Sequence, residues 1–118
     1  MGIFIKKLNS NDIVCILEEK DLKNKKTLLR ALAKNFNFPD YFGQNWDALA
    51  DCLHDFNWYR RYNIVLIHRD SIKNLNDKNQ QTYLDILIGA ANFWKKNKKR
   101  NFQVVFHKDD FKRIKNLR

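Results

Sequence analysis

Apolar residues recur along this chain in two ways, as short unbroken runs and as helical stripes. Ile13-Val-Cys-Ile-Leu17 is continuous, β-branched and bounded by charge, the pattern of a buried strand in a parallel sheet. Ile64 to Ile67, ending near His68, and Phe102 to Phe106 repeat it. Thr27 to Phe36 carries apolar residues at helical spacing among good helix formers, and Pro39 stops it, because the residue before proline avoids helical dihedrals. A second helix is expected over 42–56, and a helical turn within Asp70 to Asn76. A long third helix runs from Lys78 to about Lys96, its stripe formed by Tyr83, Leu84, Leu87, Ile88, Ala91 and Trp94. Residues 2–7 either add a short N-terminal strand or stay loose. Residues 108–118 form a basic tail that reads as a short helix packed by Phe111, Ile114 and Leu117. No repeat or linker divides the chain. Strand, helix, helix, strand, helix, strand is the order of a small α/β layer around a parallel sheet. The expectation is a single domain over 13–107, a three-stranded parallel sheet with about four helices, flanked by an extension over 1–12 and the tail over 108–118.

The stretch from Phe42 to Phe56 is unusual in its charges. At about 100° per residue, Leu49, Cys52, Leu53 and Phe56 fall on one side. Asp47, Asp51 and Asp55 fall on the other at i, i+4 and i+8, with His54 beside them. Like charges at i, i+4 destabilise a helix by a few tenths of a kcal/mol per pair. Yet no Lys or Arg occurs between Asn35 and Tyr59, in a chain holding 23 of them. Attraction to the helix dipole accounts well for Asp47, less for Asp51 and not for Asp55 near the far end. Such a helix reads as a surface for cationic groups on a partner. Ahead of it, Gly43 is expected to supply a backbone conformation that other residues resist, and Asn45 an N-cap or a turn-stabilising amide.

Charge changes the picture on the other side. The 118 residues carry a net charge of +10. Lys95, Lys96, Lys98, Lys99 and Arg100 gather at the C-terminal end of the long helix, where the dipole favours them. An excess of this size points to nucleic acid or an anionic surface, although a chain rich in Asn, Lys and Ile also fits AT-rich coding. Phe93, Trp94 and Phe102 lie among these cations as stacking groups or, as their spacing favours, as core. Cys15 and Cys52 sit in apolar runs and read as buried thiols, with one disulfide as the alternative.

No metal-ligand spacing and no cofactor motif is present. His54, His68 and His107 are scattered, and no nucleophile elbow or P-loop occurs. Asp47 and Asp51 are paired carboxylates, but a helix with a buried apolar face projects them outward rather than into a cleft. The chain therefore does not read as an enzyme. It has no eighteen-residue apolar run, its start is too short for a secretory signal, and Lys6 breaks the myristoylation pattern. A cytoplasmic protein without a membrane role is expected.

Pro39-Asp-Tyr-Phe-Gly-Gln-Asn-Trp-Asp-Ala-Leu-Ala-Asp-Cys-Leu53 resembles the signature of the barstar family, intracellular inhibitors of barnase-type ribonucleases. That signature runs Pro, acid, Tyr, aromatic, Gly, any, Asn, any, Asp-Ala-Leu, any, Asp-Cys-Leu, and this chain matches it without a gap. The resemblance implies the same three-stranded parallel fold and a helix that blocks a nuclease site with carboxylates. The barnase–barstar pair is itself a standard worked example of electrostatic steering and of one aspartate dominating an interface. Residue by residue, Asp51 takes that dominant position and Asp47 the second acidic one. Tyr41, Gly43, Asn45 and Trp46 fall on preceding contact positions, although Tyr41 and Trp46 also suit the core and Gly43 and Asn45 also suit the turn. His54 and Asp55 extend the partner-binding set.

Two departures stand out. Ala50 stands where the family often has an aromatic. Lys95 and Lys99 stand as secondary contacts where acidic residues are expected. The connection 57–62 is also wider than in the family pattern. A strongly cationic barnase-like enzyme would be repelled by that rim, so either the partner is a different nuclease with an acidic patch facing Lys95 to Arg100, or the basic end points away from the contact. The implied role is an immunity protein or antitoxin, monomeric when free, in a bacterial cytoplasm and matched to one cognate nuclease. The alternative is a nucleic-acid-binding module built on the basic C-terminal region.

Overall fold

The computed structural model describes residues 11–39 and 43–117, the side chains of the last two apart. Three strands form one parallel sheet: β1 (Ile13–Leu17), β2 (Asn63–His68) and β3 (Asn101–Val105), in that spatial order. Ile13 pairs with Ile64 and Leu17 with His68, while Asn63 pairs with Asn101 and Ile67 with Val105. Helices α1 (Lys25–Asn35), α2 (Trp46–Leu53), α3 (Asp77–Asn97) and α4 (Phe111–Leu117) complete the fold, with short 3-10 turns at Glu19–Asp21 and Lys108–Asp110. The parallel sheet and the element order match the expectation. The N-terminal strand expected over 2–7 lies outside the described residues.

Alternate strand positions share one core. Cys15, Leu17, Ile64, Leu66, Phe102 and Val104 join Leu28, Leu29 and Leu32 of α1, Leu49 and Leu53 of α2, and Tyr83, Leu84 and Leu87 of α3. The opposite positions are covered unevenly. Val65 and Val105 are buried, Val14 and Ile67 are half-buried and Ile16 is exposed, so β1 alternates where its unbroken apolar run suggested burial on both faces.

Local chemistry sets the helix ends. The Asn24 side chain accepts the Thr27 N–H at 2.9 Å to start α1. The Asn76 side chain accepts the Asn79 N–H at 2.8 Å to start α3. Lys98, in the left-handed region at φ 66°, ends α3. The buried stripe of α3 is Gln80, Tyr83, Leu84, Leu87, Ala90 and Trp94, with Ile88 and Ala91 only half-buried. Between β2 and α3 there is no helix. A single turn, Leu75 N–H to Ile72 O, replaces the helical turn expected there.

Two buried polar groups are fully engaged. His68 donates from Nδ1 to Val105 O at 2.9 Å, since a carbonyl can only accept, and its Nε2 then accepts the Tyr83 hydroxyl at 2.7 Å. Burial pushes this imidazole down to about 4, with the Val105 bond and Asp110 opposing, so it is held neutral. Asp110, its side chain wholly buried, accepts from Ser71 Oγ, from Ile72 N–H at 2.9 Å and from Arg113 Nη1 at 2.9 Å. This carboxylate ties the tail to the connection after β2. Ile114 seals the contact as expected, whereas Phe111 stays exposed.

Candidate functional site

Helix α2 spans eight residues, shorter than the sequence pattern suggests. Its start is set by Asn45, whose side-chain oxygen accepts the Ala48 N–H at 2.8 Å, so this amide is the N-cap. Gly43 does not take the conformation expected of it. Among the described residues no glycine has positive φ, and Gln44 at 52° carries the left-handed turn instead. A Cβ on Gly43 would come 3.1 Å from Asn45 Nδ2, so Gly43 keeps room for the cap. At the other end, Phe56 takes φ 51°, reversing the chain and turning its ring into the core against Phe36 at 5.4 Å and Phe102 at 5.8 Å. That packing outweighs the ~1–2 kcal/mol disfavouring a left-handed non-glycine residue. Asp55 is thereby moved off the helix.

The faces of α2 divide as the spacing predicts. Leu49, Cys52 and Leu53 are buried. Asp47 and Asp51 are exposed, and Ala50 and Trp46 are half-buried. Trp46 packs 6.2 Å from the Tyr83 ring, with Lys25 Nζ 5.3 Å from its own centroid, so its indole serves the core as well as the rim. Burial pushes the Cys52 thiol up to about 11, and the Asp55 and Asp51 carboxylates push it further the same way. Cys15 is raised to about 12 by burial, and both thiols are free. Among the described residues none of the three carboxylates takes part in an ion pair. His54 caps α2, donating from Nδ1 to Ala50 O at 2.7 Å and resting 4.9 Å from the Phe93 ring. Tyr41 lies outside the described residues.

A basic depression adjoins the C-terminal end of α2. Its walls are His54 and Asp55, then Arg60 and Arg61 of the connection to β2, then Lys99 and Arg100 beyond α3. Trp94 holds these pieces together, its Nε1 donating to Leu53 O at 2.7 Å and its ring lying 5.7 Å from the Arg100 guanidinium. Arg100 donates to Arg61 O at 2.8 Å. The structure thus brings Lys99 and Asp55 to the walls of one depression and places Lys95 and Lys98 in an adjoining hollow that shares Tyr62, Trp94 and Arg100 with it. Sequence reading passed over Arg60 and Arg61. Their adjacency in an extended connection was visible, but not that Arg100 would fold the connection against the helix end. Among the described residues no group of three or more His, Cys, Asp or Glu could hold a metal ion.

Comparison with known proteins bears on the family of the chain. The model of the family described as Barstar (barnase inhibitor) matches residues 13–107. The Bacillus subtilis (strain 168) protein named "Putative ribonuclease inhibitor YrdF" is 45% identical over 38 residues, 32% of this chain and 42% of that protein. The match therefore spans less than half the length of that relative.

Proposed function

This chain belongs to the barstar family, and on that premise we propose that it inhibits a ribonuclease by inserting the acidic face of α2 into the enzyme's phosphate-binding site. The observation that carries this reading is the pair Asp47 and Asp51, one helical turn apart, exposed, and in no ion pair among the described residues. A nuclease that cleaves RNA through its 2′-hydroxyl must hold the phosphate with cationic side chains. Two carboxylates one turn apart, about 5–6 Å between Cβ atoms, offer those cations the charge and acceptor geometry of successive phosphates. Charge-assisted bonds to Arg are strong and directional, and opposite fields speed the encounter.

In this reading Asp51 is the central contact and Asp47 the second. Asn45 and Gly43 fix the angle at which the helix is presented. Trp46 and Ala50 frame it, His54 and Asp55 lie at its far edge, and Tyr41 is carried as a contact by its place in the family pattern. The biological role is that of an immunity protein or antitoxin, monomeric when free, held in a bacterial cytoplasm against one cognate nuclease. No helix among the described residues is long and apolar enough to cross a membrane, which fits that setting. The test is stoichiometric titration of ribonuclease activity, with Asp51→Ala in parallel. Inhibition that the substitution weakens at least thirtyfold supports the reading, and inhibition indifferent to Asp51 overturns it.

A further inference from the structure

The depression beside α2 has a chemistry opposite to that of the helix. Four cations, Arg60, Arg61, Lys99 and Arg100, surround about 390 Å³ in which Asp55 is the one carboxylate among the described lining residues. Among the described residues none of the four is in an ion pair. The site is built rather than incidental. Arg100 is held between Arg61 O and the Trp94 ring, and Trp94 in turn is bonded to the last residue of α2. The basic lining is therefore fixed relative to the C-terminal end of α2, the helix that carries Asp51.

A polyanion suits this surface poorly. A nucleic-acid strand entering the depression would meet Asp55 within it and, four residues back along the chain, the exposed Asp51 of α2, and repulsion at short range is only partly screened. A protein whose own surface changes sign over the same distance suits it well. We propose that the depression is a specificity determinant for the partner, which presents an acidic patch next to the cationic catalytic groups that receive Asp47 and Asp51. A nuclease that is cationic across the whole contact is rejected by the same four side chains. The inference rests on the inhibitor reading and adds the partner's charge pattern to it. Selectivity of this kind comes from the repulsive element as much as from the attractive one.

Barnase is the probe for the test, because its inhibitors give the family its description. RNA cleavage by barnase is titrated with the wild-type chain, with Arg61→Glu/Lys99→Glu, and with each of these carrying Asp51→Ala. Arg61 and Lys99 are both exposed, and the bond from Arg100 goes to the Arg61 backbone, so the double variant keeps its fold and its melting temperature. The expected result is at least tenfold tighter inhibition by the double variant, a gain that shrinks as salt is raised and disappears with Asp51→Ala. A double variant that inhibits barnase no better than wild type, or binding by neither, overturns the inference. In the first case a loss on Asp51→Ala leaves the inhibitor reading standing, and no loss removes that as well. A single-stranded RNA oligonucleotide held by wild type at physiological salt and released by the double variant would assign the depression to nucleic acid and also overturn the inference.

Discussion

The carboxylates of α2 and the carboxylate of Asp110 sit on one small chain under opposite conditions. Asp110 is wholly buried and meets three donors, Ser71, Ile72 N–H and Arg113. Asp47 and Asp51 are exposed, and among the described residues no cation forms an ion pair with them. A buried carboxylate without partners would be intolerable, so the fold supplies them. An exposed one is stable in water and remains available. What differs is where internal compensation is provided and where it is withheld, and the withheld places are those that an outside molecule can complete.

The comparison breaks most visibly on the buried side. Asp110→Ala strands the Ile72 N–H and the Arg113 guanidinium, and a loss of about 3–5 kcal/mol is expected from breaking a buried charged network. Chemical denaturation reads that loss, while inhibition per folded molecule stays unchanged. His68 sharpens the same side through pH. Its ordinary value of 6.5 falls to about 4 in the fold. Below pH 6.5 the unfolded chain takes up a proton that the folded chain refuses until about pH 4. Stability is therefore full above 6.5 and declines through that window by about 3 kcal/mol. Denaturant midpoints across pH 4–7 test this, and His68→Phe flattens that part of the profile.

On the exposed side the pattern reverses. Asp51→Ala is expected to cost at least about 2 kcal/mol of complex stability and to leave the melting temperature of the free chain within a degree or two. Asn45 lies between the two classes. Asn45→Ala removes the acceptor for the Ala48 N–H and costs about 1 kcal/mol, which Asn45→Asp restores in thermal unfolding. Equal losses of stability for Asp51→Ala and Asp110→Ala would erase the distinction altogether.

The three strands and three main helices were legible because apolar period reports burial directly. Ile13 to Leu17 and Ile64 to Ile67 keep their places in the sheet, and Asn45 caps α2 as its residue type suggests. The ends of α2 were less legible because tertiary packing decides them. Nothing local announces that Phe56 will adopt a left-handed conformation to reach Phe36 and Phe102, or that Gln44 rather than Gly43 will make the turn. The carboxylate face could be read from one segment, since i and i+4 determine it. The basic depression could not, because it joins residues from 54 to 100 that are brought together by tertiary contacts such as those of Trp94 and Arg100.

The parallel sheet also has a consequence in time. Ile13 finds its partner only at Ile64, and Asn63 only at Asn101. The segment bearing Asp47 and Asp51 lies inside the first of these loops, so it has no sheet to dock on until β2 has been made, and the core is not closed until β3 follows. Closing such distant contacts is slow compared with forming local ones. On the proposed inhibitory role, a nascent chain is an incomplete antagonist for most of its synthesis, at about 5–20 residues per second. A cell that relied on such an inhibitor against a nuclease made at the same moment would need a standing stock of finished molecules.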